Sequence, residues 1–137
     1  MADAQVMRFL RAAEQRLAAA DLLLDNSKYL DGMYLAGYVV ECSLKALVLS
    51  YIRVPERPEF IREHFRGQRA HDFEHLATLL LQNGVNIPKP LRLIVVRAND
   101  IWSTDLRYET GHGKVADSKF LRDAGEKILA WVQRSVT

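Results

Sequence analysis

The sequence predicts an all-α domain, an up-and-down four-helix bundle with an extra short helix in the connection after the second helix. Three observations carry that reading. Apolar residues recur at spacings of three and four along most of the chain. No segment alternates apolar and polar residues with period two for long enough to be a strand. The breaks between stripes are short or of medium length, and Asn, Ser, Gly and Pro mark them. With 137 residues and no repeat, low-complexity tract or linker, residues 1–137 form a single domain. A chain of this length buries roughly two thirds of its unfolded surface, enough for a core without staples.

The first helix is expected over Ala4 to Leu24, where Val6, Phe9, Leu10, Ala13, Leu17, Ala20 and Leu24 make one stripe. Asn26 and Ser27 break it, and Asp31 is expected to cap a second helix running to about Tyr51. That helix is apolar on all sides and so needs neighbours on most of them. Pro55 and Pro58 open a charged connection, with Pro58 at the first position of a short helix over Glu59 to Phe65. Asp72 caps the third helix, which turns Phe73, Leu76, Leu79 and Leu80 inward and stops at Asn83-Gly84. Pro88 and Pro90 start the fourth, whose stripe runs Leu91, Ile94, Val95, Ala98, Ile101, Trp102. Ser103 to Gly113 reads as loop. The last helix spans about Asp117 to Gln133 and buries Phe120, Leu121, Ala124, Ile128 and Trp131.

Nineteen basic and seventeen acidic residues give a net charge of +2, which excludes a polycation and leaves room for a local basic patch only. The single cysteine, Cys42, excludes a disulfide framework and a Cys-rich zinc site. Charges among the first sixteen residues interrupt any secretory apolar run, so a cytoplasmic location is expected. Met33 to Ile52 approaches membrane-spanning length, but Glu41 and Lys45 in its middle point to a buried core helix and no membrane partner.

Those two charges also define the first candidate site. Tyr34, Tyr38, Glu41 and Lys45 share one helical face, and Glu41 preceding Lys45 by four is the favourable order for an ion pair. Such a stripe either lines a polar groove suited to a base or ribose, or is an ion pair that fixes helix register. Gly37 beside it allows a neighbouring helix to approach closely. Arg53, Arg57, Arg62, Arg66 and Arg69 crowd the connection, where they could grip phosphates with Phe60 and Phe65 available for stacking. Glu56, Glu59 and Glu63 weaken that field, and a solvated charged loop is the alternative. His71 and His75 lie one turn apart but have no third ligand at a metal-binding spacing, so neither a metal nor another cofactor is expected.

The segment Tyr34-Leu35-Ala36-Gly37-Tyr38-Val39-Val40-Glu41-Cys42-Ser43-Leu44-Lys45-Ala46-Leu47 resembles the second helix of HEPN domains. Similarity continues in the Ala-rich first helix ending in Leu22-Leu23-Leu24, in His71-Asp72-Phe73, and from Trp102 to Tyr108. The resemblance implies a helical bundle, often a homodimer, that binds a nucleotide or RNA. It also implies a nucleotidyltransferase partner on a separate chain, in a two-component, toxin–antitoxin-like pair. This chain lacks a Gly-rich phosphate loop and paired carboxylates, so it is not that transferase. Some family members are metal-independent ribonucleases with Arg, four to six residues, then His. All four histidines here have an Arg at such a distance, so position decides, and it selects Arg107 and His112 before the last helix. His112 would move the proton and Arg107 would hold the phosphorane charge. Gly111 and Gly113 flank the histidine, which argues for loop.

The leading expectation is therefore a nucleotide- or RNA-binding partner of a nucleotidyltransferase. Its ligand would meet Tyr34, Tyr38, Glu41, Lys45, Arg66, Arg69, His71 and Tyr108. The alternatives are a ribonuclease using Arg107 and His112, and a helical protein-interaction module that binds no nucleotide.

Overall fold

In the computed structural model, which describes residues 3–136, the chain is all-helical. α1 (Ala4–Asp25) begins where the Asp3 carboxylate accepts from the backbone N–H groups of Gln5 and Val6. It ends in a Schellman turn: Ser27 takes a left-handed φ of 61°, while Lys28 N donates to Leu23 O and Ser27 N to Leu24 O. The chain then reverses directly into α2 (Tyr29–Ser50), three residues earlier than a cap at Asp31 would allow. Asp31 instead occupies the first turn, where its carboxylate meets the positive end of the helix dipole.

α2 is the centre of the fold. By length and composition it could cross a bilayer, yet 78% of its most apolar window is buried inside the chain. α1, α6 and α4 pack around it. The neighbours that so apolar a helix needs are thus supplied within one chain.

The charged connection is tied down rather than solvated throughout. α3 (Arg57–His64) starts at Arg57, with Pro58 inside its first turn, slightly earlier than expected. Arg57 is buried: it forms an ion pair with Asp3, and its guanidinium donates to Gln5 Oε1 at 3.1 Å and Ile52 O at 3.0 Å. It straps the connection to the start of α1, so it offers nothing to a phosphate. Phe65 is buried with its ring edge-on to Phe9, and Phe60 packs against Phe65, so neither is a stacking platform.

This strap makes one acid-sensitive link. The Arg57 guanidinium beside Asp3 holds its carboxyl below the ordinary 3.8. A depressed carboxyl pKa contributes stability that is present above the unfolded value and lost as pH falls through the folded one. Asp3→Asn should therefore lower stability near neutral pH, and the difference from wild type should shrink as pH drops below 3.8. Urea denaturation at both ends of that window checks it, and a gap that widens on acidification would refute the assignment.

α4 (Phe73–Gln82) is capped by Asp72, which accepts from Glu74 N at 2.9 Å and His75 N at 3.3 Å. It closes with a second Schellman turn at Gly84. α5 (Lys89–Ile101) packs on α4 and α6. Trp102 does not continue the α5 stripe: its backbone turns extended (φ −121°, ψ 138°) and throws the indole across α2. The expected loop contains a 3-10 turn over Thr104–Tyr108. α6 (Val115–Val136) is longer than expected at both ends and is tied to α1 by the Arg122–Asp21 ion pair.

Candidate functional site

The α2 stripe carries a chain of polar contacts through the core. Glu41 is 4% exposed and Lys45 7%, so both lie beneath the surface rather than along an open groove. Lys45 Nζ sits 3.0 Å from Glu41 Oε2 and 5.2 Å from the centre of the Phe65 ring. The other carboxylate oxygen, Oε1, is 2.7 Å from His71 Nδ1. An ionised carboxylate only accepts, so Nδ1 carries the hydrogen, and in the neutral ring Nε2 on the opposite edge is left as an acceptor. Lys45 neutralises the buried charge, and Glu41 fixes the imidazole.

Tyr38 and Tyr34 continue the stripe. Their hydroxyls are 3.0 Å apart, and the Tyr38 ring stands edge-on to both His71 and Trp102. Burial, reinforced by the Tyr34 contact, pushes the Tyr38 phenol well above its ordinary pKa and keeps it protonated. Trp102 stacks on Phe73 at 5.2 Å, and its Nε1 donates to Tyr34 O at 3.0 Å. Gly37 makes this possible: a Cβ there would stand 2.0 Å from the indole. The close neighbour of Gly37 is thus a single ring rather than a helix.

His71 and Trp102 open onto a polar cleft of about 300 Å³. Its other walls come from Gln68 and Asp72 on one side and from Asn99, Ser103, Thr104 and Asp105 on the other. Asn99 Oδ1 accepts from Phe73 N at 2.8 Å, which docks the end of α5 onto the start of α4. Asn99 and Asp105 do not stand out from the sequence as site residues. Their signal was the polar run that interrupts the apolar stripe at Asn99-Asp100 and resumes at Ser103.

Arg107 and Tyr108 follow on the same 3-10 turn. Arg107 lies 4.8 Å over the Tyr108 ring, and Tyr108 is 73% exposed. Hydrogen bonding to Tyr108, and secondarily contact with Tyr34, raise the Arg107 pKa further and keep it cationic. The structure thus brings together Tyr34, Tyr38, Glu41, Lys45 and His71, with Arg107 and Tyr108 against their outer end.

Other candidates lie apart. Arg66 is exposed, and Arg69 reaches Glu63 O at 3.3 Å and His64 Nδ1 at 3.4 Å. His112 is exposed between Gly111 (φ 95°) and Gly113 (φ 71°), and no side-chain bond among the described residues ties it to Arg107. His75 faces His64, with ring centres 5.6 Å apart, rather than His71. Burial and then Arg69 lower the His75 pKa, so it stays neutral. Among the described residues no group of three or more His, Cys, Asp or Glu side chains could hold a metal ion.

Fold and site together define an all-helical domain whose central helix buries a carboxylate bridging a lysine and a histidine. The HEPN domain model matches residues 6–135, and the chain belongs to that family. Its fold is similar to the crystal structure of an archaeal HEPN homologue, with 18% identity, a TM-score of 0.64, and coverage of 96% of this chain and 98% of that one. No curated protein matches the chain.

Proposed function

We propose that the protein binds a nucleotide or RNA at the His71 cleft and the Arg107–Tyr108 turn that follows Asp105 in the chain, as the partner of a nucleotidyltransferase carried on another chain. The observation that supports this most is the Lys45–Glu41–His71 chain of contacts, which sets a fixed histidine at the wall of a polar cleft. An apolar pair would fill the same space at lower desolvation cost, so a buried ion pair ending on a half-buried histidine fits a binding role. Arg107 supplies the cation for a phosphate, and Tyr108 the ring on which a base can stack. Family membership supports the transferase partnership, the homodimer and a cytoplasmic setting as parts of the same reading. Exposed Leu81, Leu93 and Val96 on α4 and α5 are free for such partners.

The ribonuclease alternative needs Arg107 and His112 to act on one phosphate. His112 sits in a glycine-flanked loop with no orienting partner among the described residues, whereas a general acid or base must be held within hydrogen-bond reach of the proton it moves. The expected result is binding without cleavage. Labelled RNA incubated with the pure protein in EDTA should remain intact, and Arg107→Ala should weaken its binding by about tenfold. Cutting by the wild type that His112→Ala abolishes would establish the ribonuclease instead. Absence of any RNA or nucleotide binding would leave the interaction module standing.

A further inference from the structure

Resting on the nucleotide-binding reading, we propose that the His71 cleft is a base pocket selective for guanine. The cleft sorts charge. Its walls carry the carboxylates of Asp72 and Asp105 and no Lys or Arg, so a phosphate is repelled from it. Arg107, two residues beyond Asp105, provides for the phosphate outside. The base is then the part of a nucleotide that enters, and about 300 Å³ lies at the small end of ligand sites, suited to one base.

The hydrogen-bonding groups that remain unengaged select among the bases. Asp72 Oδ1 is occupied by its two capping bonds, but the Asp105 carboxylate has no bonding partner among the described residues. His71 Nδ1 is engaged with Glu41, which leaves Nε2 of the neutral ring as a fixed acceptor. Asn99 Oδ1 is engaged with Phe73 N, which turns its NH₂ group into a free donor. The cleft therefore offers the Asp105 carboxylate and the His71 imidazole nitrogen as acceptors and the Asn99 amide as a donor, with the Gln68 amide and Thr104 hydroxyl able to serve as either. Guanine presents the complement: N1–H and N2–H₂ as adjacent donors for a carboxylate, and O6 as an acceptor for an amide. Adenine and cytosine place a bare ring nitrogen next to their amino group, which a carboxylate repels. Uracil offers one N–H between two carbonyls. The locked His71 accepts from the second amino hydrogen or a ribose hydroxyl, which gives the buried Glu41–Lys45 pair its purpose.

Calorimetric titration of the full chain with guanosine, GMP, inosine, adenosine and cytidine tests this. Guanosine should bind on its own, because the pocket holds the base, and GMP about tenfold more tightly through the added contact of its phosphate with Arg107. Inosine, which lacks the 2-amino group, should bind about tenfold more weakly, and adenosine and cytidine more weakly still. Asp105→Asn, at an exposed position, should remove the preference for guanosine over inosine, and His71→Ala should cost about tenfold in affinity. If all nucleotides bind alike while nucleosides do not, and Arg107→Ala rather than Asp105→Asn removes binding, the pocket is wrong and nucleotide binding stands. If arginine amide binds and guanosine does not, the cleft takes a guanidinium and the proposal falls. If no nucleoside, nucleotide or RNA binds, both readings fall.

Discussion

Replacing Gly37 by alanine is expected to destabilise the protein by about 3 kcal/mol, although the same change in an exposed helix stabilises by about 1 kcal/mol. The new Cβ would stand 2.0 Å from Trp102 Nε1 and Cε2, far inside contact distance. The ring cannot tilt away cheaply. It is 3% exposed, stacked on Phe73 and tied through Nε1 to Tyr34 O. Relief requires the indole to leave its site, a loss comparable to truncating a buried tryptophan, roughly 3–5 kcal/mol before the helix gain is subtracted. Urea denaturation measures the loss, and a red shift of tryptophan emission reports the displaced ring. Unchanged or increased stability would show that α2 and Trp102 are not packed in this way. Because Trp102 also walls the cleft, the variant should lose ligand binding with its stability.

Glu41→Ala is expected to cost roughly 3–5 kcal/mol, and Lys45→Ala about 3 kcal/mol, because each leaves a charge or a polar group buried without its partner. The order follows from the geometry. Without Glu41, the Lys45 ammonium keeps the Phe65 ring alone among the described residues, and His71 loses its anchor. Without Lys45, Glu41 still holds His71 and can share a proton with it. Replacing both by apolar residues, as in the double variant Glu41→Leu, Lys45→Met, should cost much less than either single change, since no charge is stranded. A denaturation series checks all three. Two harmless single variants would mean that the pair is solvated, and the fixed histidine would lose its support.

Much of the fold was legible because its signals are local. The Asp72 cap, the Asn83-Gly84 stop and the α1 stripe each depend on residues within a turn or two of one another. Spacings of four, three and four placed Tyr34, Tyr38, Glu41 and Lys45 on one face without knowledge of tertiary contacts. Less legible were features settled by distant partners. Arg57 looks like its surface neighbours until Asp3 is brought beside it by folding. Trp102 falls in register with α5, and only the turn that begins at Ser103 takes it out of the helix. The start of α2 depends on a Schellman turn at a serine, where glycine would have been the recognisable signal. His71 and Glu41 are thirty residues apart, and no periodicity links them. The stripe was therefore readable, but its exit to the surface was not. His112 shows the converse, since a spacing shared by all four histidines carries little information about where a side chain will point.

The tautomer of His71 reports whether Glu41 holds the ring. Long-range ¹H–¹⁵N correlation spectra of histidine-labelled protein distinguish a protonated Nδ1 from a protonated Nε2 in a neutral ring. With Nδ1 bonded to Glu41 Oε1 at 2.7 Å, neutral His71 should be held as the Nδ1–H tautomer in the wild type, and Glu41→Gln should weaken that preference. An Nε2–H tautomer, or a His71 signal averaged between forms and indifferent to Glu41→Gln, would mean that the carboxylate does not hold the ring and that the cleft has no fixed acceptor.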